Sequence, residues 1–334
     1  MPRLAFDDFT AGATTTYGDL AVDEAGIIAF ATTFDPQIFH VDPVGAKDTF
    51  VGELIASGWH SCSLLMRLLA EHTLLDSTSM GAPGVEEVRW LRPVRPGDRL
   101  HARQTVLETK ASRSRPEMGL VRFRFELLNQ AGEPVMEQTN WIMFGRRGAD
   151  WQKSGTAPRP GPAAAAFPPP SLDGALPAFE DVAVGTVTDL GATHFTAEDI
   201  LAFARAFDPQ PFHTDPEAAA KSHFGALCAS GWHTGAAWMQ RMVDHRQALT
   251  RAAEAQGRPA PRLGPSPGFT DLRWLKPVYA GDTIRYSSTI VDKRATRSRP
   301  DWGLVFNENR GVNQRGEEVF RFRGCVFWER QEVG

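Results

Sequence analysis

Three cysteines in 334 residues (Cys62, Cys228 and Cys325) are too few and too far apart for a disulfide framework. Without C-x-x-C spacing they make no zinc site either. No stretch approaches the ~20 apolar residues of a membrane span, and the opening MPRLAFDDFTAG has no apolar segment of the signal-peptide kind. Charge of one sign is not in excess: 36 basic against 40 acidic residues leave a net −4, which argues against a nucleic-acid-binding surface. HExxH, GxGxxG and the P-loop are all missing. Gly264-Pro265-Ser266-Pro267-Gly268 matches GxSxG by letter, but a nucleophile elbow needs a strand before it and a helix after it. Here prolines flank the serine inside a loop. What remains is an ordinary globular composition, 42% hydrophobic and 10% aromatic, which excludes a disordered chain. The expectation is a cytoplasmic protein with no membrane association, long enough at roughly 150 residues per domain for about two domains.

Internal repetition is the strongest positive signal. FDPQIFHVDP at Phe34–Pro43 recurs as FDPQPFHTDP at Phe207–Pro216, and ASGWH at Ala56–His60 recurs at Ala229–His233, both with an offset of 173 residues. RWLRPV from Arg89 recurs as RWLKPV from Arg273 with an offset of 184. That offset holds through the later SRSRP/TRSRP and NQAGE/NQRGE segments. The second copy therefore carries 11 extra residues between ASGWH and RWLKPV, which includes the loop-like RPAPRLGPSPG. Seven of the 24 prolines fall between Thr156 and Ala178, beside an alanine run. Such a segment suits neither a helix nor a central strand. The division is a domain over 1–148, a Pro/Ala-rich linker over 149–177 and a second domain over 178–334.

Each copy reads in one order. A short helix (Ile27–Phe34; Ala197–Phe207, capped by Thr196) runs into the DPQxFH loop, where proline pushes the preceding Asp35 or Asp208 out of the helical region. A long apolar helix follows, over about Leu54–Leu75 and Cys228–Val243. Four strand-like runs separated by Gly and Pro turns close the unit, the first four being Val85–Pro93, Arg99–Thr109, Leu120–Asn129 and Pro134–Phe144. One long helix followed by an antiparallel meander predicts α+β, with the sheet curled around the helix.

Three elements can carry chemistry. Asp208 and His213, like Asp35 and His40, stand five positions apart across a proline-containing loop, so they converge only if the loop folds back. A carboxylate and an imidazole sharing one water can orient it and move its protons; a capping Asp and a turn-anchoring His would leave the same pattern. Gly58 and Gly231, in the SGWH segments, stand in the first turns of the long helices, where N–H groups are unpaired and can meet a developing oxyanion. Plain helix–sheet packing also asks for a residue without Cβ there. Trp59 and Trp232 suit core or pocket wall. Finally, the basic turns KASRSRPEMG (Lys110–Gly119) and KRATRSRPDWG (Lys293–Gly303), the second with Arg297 and Arg299, could hold a phosphorylated arm, or form solvated hairpin tips paired with Glu117 or Asp301.

Taken together, the helix, the D-P-Q-x-F-H loop, the glycine-bearing long helix and the RPVRPGD strands resemble the MaoC-like acyl dehydratases, which include the (R)-specific enoyl-CoA hydratases. The family's hydratase motif, roughly G-D-x-N-P-x-H, matches through Asp208 and His213 and again through Asp35 and His40. Gln210 and Gln37 replace its Asn, and Phe207 and Phe34 replace its Gly. The resemblance implies two hot-dog domains in tandem forming a pseudo-twofold unit. It also implies an Asp/His dyad acting on an enoyl-thioester and a glycine N–H, from Gly231 or Gly58, at the thioester oxygen. Gln210, Trp232, Gln37, Trp59, Arg297 and Arg299 are then the expected substrate contacts. The implied reaction is reversible hydration of a 2-enoyl-CoA to a (3R)-hydroxyacyl-CoA by a hydro-lyase, with no metal or separate cofactor because CoA belongs to the substrate. An acyl-CoA thioesterase and a non-catalytic acyl-CoA-binding protein are the alternatives, and self-association is left open. The second dyad is expected to be the working one, because copy one has Ile38 in place of Pro211 and a charged Glu53 before its long helix.

Overall fold

The computed structural model describes residues 4–151, 167–168, 170, 175–258 and 260–331. Most of the expected 149–177 linker lies outside the described residues. In the first half, β1 (Thr14–Ala21), α1 (Glu24–Phe34), α2 (Ile38–Val41) and α3 (Gly58–Leu69) precede β2 (Gly84–Trp90), β3 (Arg99–Ala111), β4 (Met118–Leu128) and β5 (Pro134–Gly145). The second half repeats this with β6 (Val187–His194), α4 (Ala197–Phe207), α5 (Pro211–Thr214), α6 (Pro216–Lys221), α7 (Gly231–Glu254), β7 (Gly268–Trp274), β8 (Thr283–Ala295), β9 (Trp302–Asn313) and β10 (Glu318–Glu329). Each half is a hot-dog: one long helix laid against an antiparallel sheet.

The two half-sheets join edge to edge. All ten strands form one antiparallel sheet in the order β1-β3-β4-β5-β2-β7-β10-β9-β8-β6, and the seam is the β2–β7 pair, with Val85 opposite Leu272 and Val88 opposite Phe269. Glycine is required at both ends of this seam. A Cβ on Gly84 would fall on the Leu272 carbonyl oxygen, and one on Gly268 on that of Val88. A single buried apolar cluster crosses the seam, where Trp59 stacks on Phe269 with ring centroids 5.1 Å apart and meets Trp232 and Trp238. Between the helices of the two halves, Arg67 donates to Ala206 O (3.0 Å) and Gln247 to Pro36 O (2.8 Å).

Three expectations need correction. The long helices start later than expected, at Gly58 and Gly231, because residues before them are extended: Ala56 N–H bonds Val94 O and Ala229 N–H bonds Val278 O. The helices also differ in length. After Leu69 the first widens into a π-helical turn over Ala70–Leu74, whereas α7 runs on as α-helix to Glu254. Much of the extra length of copy two is thus helix rather than loop. Lastly, β1 and β6, unassigned from sequence, are the two edge strands. Thr14–Ala21 is largely exposed and shows no apolar alternation, so nothing in its pattern marks it as a strand.

Candidate active site

Both D-P-Q-x-F-H loops fold identically, for local reasons. Asp208 ends α4 with its N–H on Ala204 O (2.8 Å), Gln210 N–H turns back to Asp208 O (2.8 Å), and the short α5 begins with Pro211. In the other half Asp35 ends α1 in the same conformation (φ −153°, ψ 63°, against −147° and 68° at Asp208), and α2 follows without a proline. Loss of that proline therefore leaves the first loop unchanged. The fold-back brings the imidazole onto the carboxylate: Nε2 of His213 is 3.5 Å from Asp208 Oδ2, and Nε2 of His40 is 3.5 Å from Asp35 Oδ2. All four side chains are buried.

Second partners fix both groups. Nδ1 of His213 sits 2.7 Å from Cys228 O, and that of His40 sits 2.7 Å from Ile55 O. A carbonyl can only accept, so Nδ1 carries the proton and Nε2, in the neutral ring, turns its lone pair to the carboxylate. Two acceptors 3.5 Å apart do not bond each other, but they can share a molecule that donates to both. Gln210 Nε2 donates to Asp208 Oδ1 (2.9 Å) and Ser230 Oγ to Oδ2 (2.7 Å); Gln37 (2.8 Å) and Ser57 (2.6 Å) serve Asp35 in the same way. Each serine also caps its long helix by accepting from Trp232 N–H or Trp59 N–H (3.2 Å each). Ser57 and Ser230 belong to the repeated SGWH segments, where nothing in the spacing marks them as functional. They tie the carboxylate to the helix start.

The glycines are required by packing and also stand at the helix starts. Gly231 is the first residue of α7, so its N–H belongs to the unpaired first turn at the positive end of a 24-residue helix. Its lack of Cβ is demanded by packing: a Cβ there would fall on the Trp274 indole, whose Nε1 donates to Gly231 O (3.0 Å). Gly58 and Trp90 repeat the arrangement (3.1 Å).

The halves part company in the space beside each dyad. Asp208, His213, Gln210, Gly231 and Trp232 line a cavity of about 310 Å³ whose far wall comes from the first half, including Met66, Leu69, Met80, Gln138 and Asn140. The matching cavity of the first dyad holds about 70 Å³ and is bordered by Gln37 and Trp59 but not by Asp35 or His40. Trp238, Met242, Phe322 and Arg246 close in on it. Arg246 corresponds to Thr73 of the other copy; burial pushes its guanidinium down to about 10, against the opposing pull of Asp35. Glu53 is no part of this. It is exposed and paired with Arg95 (2.6 Å), which holds its carboxyl below the usual range.

The arginines also land differently from expectation. Arg299 lies over the Phe50 ring (4.3 Å to its centroid), and neither it nor Arg297 lines the large cavity. Burial and, after it, the charge of Arg115, the counterpart of Arg299 in copy one, lower the pKa of the cavity-lining His223.

The family model for the MaoC like domain matches residues 8–122 and 182–302, one match per half. The chain belongs to the MaoC-like family. Mesaconyl-CoA hydratase of Cereibacter sphaeroides is 40% identical over 79 residues, which are 24% of this chain and 21% of that protein. YdeM of Bacillus subtilis, uncharacterised, is 28% identical over 134 residues, covering 40% of this chain and 94% of that one. Among solved structures, a MaoC-domain dehydratase of Chloroflexus aurantiacus superposes with a TM-score of 0.79 over 98% of both chains at 17% identity. A Mycobacterium tuberculosis protein described as a double hot-dog gives 0.68 at 16% identity, over 97% of this chain and 98% of that one. These likenesses show the tandem hot-dog fold of the MaoC-like chain. No helix among the described residues is long and apolar enough to cross a membrane.

Proposed function

We propose that this MaoC-like protein is a hydro-lyase that adds water to the double bond of a 2-enoyl-CoA, giving a (3R)-hydroxyacyl-CoA, and catalyses the reverse. One observation carries the reading. Asp208 and His213 Nε2, two acceptors 3.5 Å apart, share the wall of a 310 Å³ cavity with the N-terminal glycine of a long helix. A water donating to both acceptors has its remaining lone pairs free for C3 of the enoyl group. Asp208 takes one proton from the water as its oxygen bonds to C3, His213 orients the water, and the protonated Asp208 passes that proton to C2, so that H and OH add across the bond. Charge develops on the thioester oxygen as C3 is attacked. The Gly231 N–H, with the α7 dipole behind it, is placed to stabilise that charge. The acyl-CoA is substrate, and its CoA moiety makes the thioester withdraw electrons from the double bond.

The test is turnover of a panel of 2-enoyl-CoAs, following enoyl absorbance and free thiol together. Loss of absorbance without thiol release, with a single 3-hydroxyacyl enantiomer formed, is the expected result. Thiol release with the enoyl group intact would make the protein a thioesterase. Tight acyl-CoA binding without either change would make it a carrier.

A further inference from the structure

The cavity beside Asp208 has an unexpected wall. On β5 the side chains facing the helices alternate as Met136, Gln138, Asn140, Ile142 and Phe144, all buried. Two primary amides sit in the middle of this apolar row, and both line the cavity. Gln138 Nε2 donates to Asn140 Oδ1 (3.0 Å), while Gln138 Oε1 has no partner among the described residues. Turning the amides over changes which atom is left, not the fact that hydrogen-bonding capacity remains unused. A buried polar group without a partner is unfavourable and rare in folded proteins.

The duplication supplies an internal control. With the offset of 184, Gln138 corresponds to Phe322 and Asn140 to Gly324, and both of these border the small cavity of the first dyad. The hot-dog strand therefore needs no amide at either position. The second half has buried amides of its own on β9: Asn307 borders the small cavity, and Asn309, whose amide has no partner among the described residues, borders neither. Polar groups thus line the same cavity as Gly231, among the apolar Met66, Leu69 and Ile142.

We infer that Gln138 and Asn140 select a short enoyl-CoA whose acyl end carries a hydrogen-bonding group, a carboxyl, carboxamide or hydroxyl, in preference to a hydrocarbon end. This rests on the hydratase reading for the reaction but not for the binding. A site built to bond a polar group discriminates strongly against an analogue that lacks it, because the site's own groups are then left unpaired.

The test compares the full-length wild type with Gln138→Met and with the double variant Gln138→Met/Asn140→Leu, which keep shape and remove polarity. Substrates are glutaconyl-CoA, its terminal carboxamide, and 5-methyl-2-hexenoyl-CoA, in which an isopropyl group replaces the carboxylate. In the wild type, kcat/KM for a polar-ended substrate should exceed that for the isopropyl analogue by on the order of 10²-fold. The variants should bring the ratio to about one or below while hydrating the isopropyl substrate at least as well. The carboxylate and the carboxamide show which polar end is preferred. Binding of the saturated acyl-CoA counterparts, measured by calorimetry, separates the two failures. A polar preference in binding without any hydration overturns the reaction and keeps the pocket. Hydration with no polar preference, or a preference that the variants leave intact, overturns the pocket assignment and keeps the reaction.

Discussion

The two halves hold the same dyad in the same geometry and differ in the room beside it. Asp–His separations match at 3.5 Å, the histidines bond equivalent carbonyls, and serine and glutamine partners repeat. Yet the second dyad opens on about 310 Å³, whereas the corresponding cavity of the first half holds about 70 Å³, is bordered by Arg246, Trp238 and Phe322, and is lined by neither Asp35 nor His40. A duplicated motif thus preserves the local device without preserving the site. Each cavity is closed by the opposite half, so the first half's ability to work is decided by residues of the second. The electrostatic handicap expected of Glu53 is absent, because that carboxylate is held at the surface by Arg95. What distinguishes the second dyad is the space beside it.

The sharpest way to break this comparison is to disable each dyad alone. Asp208→Asn keeps the shape of the carboxylate but cannot take a proton, and should lower kcat/KM for enoyl-CoA hydration by on the order of 10²–10⁴-fold, as should His213→Ala. Asp35→Asn and His40→Ala should leave most of the rate, with melting temperatures confirming that all four variants are folded. Equal halving by either pair would mean two independent sites. Dead Asp35 variants would reverse the assignment. Gly231→Val is not a usable probe of the oxyanion donor, since its side chain would strike Trp274 whatever the chemistry.

The dyads were legible in sequence because they are local: five residues, a helix end and a proline fix the fold-back, and the repeat displays the same solution twice. The α+β order and the antiparallel meander were legible from turn chemistry and strand runs. The cavity beside Asp208 was not legible. Its wall pairs Asp208 with Gln138 across the pseudo-twofold axis, and only the β2–β7 register settles which residues of the other half face the dyad. For the same reason the two basic turns could not be told apart in sequence: Arg299 lies over the Phe50 ring, whereas the charge of Arg115 adds to burial in lowering the pKa of His223. The edge strands β1 and β6 stayed hidden because exposed strands need no apolar alternation.

The seam on which this cross-supply depends can be tested next. Gly84→Ala puts a methyl group onto the Leu272 carbonyl oxygen, and Gly268→Ala does so onto that of Val88. Each should cost about 1–3 kcal/mol by forcing the strands apart, read in chemical denaturation. If the halves depend on each other as the cavity walls imply, hydration should fall with the seam even though no dyad residue is touched. Full activity in a protein with a loosened seam would mean that each half closes its own site.

An effect of similar size in the two halves comes from His60 and His233. Each stacks on a helix phenylalanine (Phe30 at 4.5 Å, Phe203 at 4.6 Å), and burial lowers their pKa values to about 3 and about 4. The unfolded chain therefore binds protons that the folded one refuses once pH falls below about 6.5. Their contribution is intact above that pH and is lost on acidification toward 4, at about 1.4 kcal/mol per pH unit for each histidine. Replacing either by Leu should flatten the dependence of stability on pH between 6 and 4.5 relative to wild type, by a similar amount in each half. A wild-type slope retained in both variants would place the titrating groups elsewhere.

The smallest expected effect decides between charge and space as the origin of the asymmetry. Glu53 and Arg95 are both well over one-third exposed. Such a pair contributes about 0–1 kcal/mol and less as salt rises. Glu53→Ala should accordingly shift the melting temperature little and leave the division of activity between the dyads untouched, because the carboxylate neither lines the small cavity nor reaches Asp35. Measured in an Asp208→Asn background, where only the first dyad can work, Glu53→Ala should show no recovery of hydration. Replacing Arg246 by Thr, its counterpart in copy one, should show some, since it removes bulk from the cavity itself. Recovery by Glu53→Ala and none by Arg246→Thr would make the difference between the halves electrostatic after all.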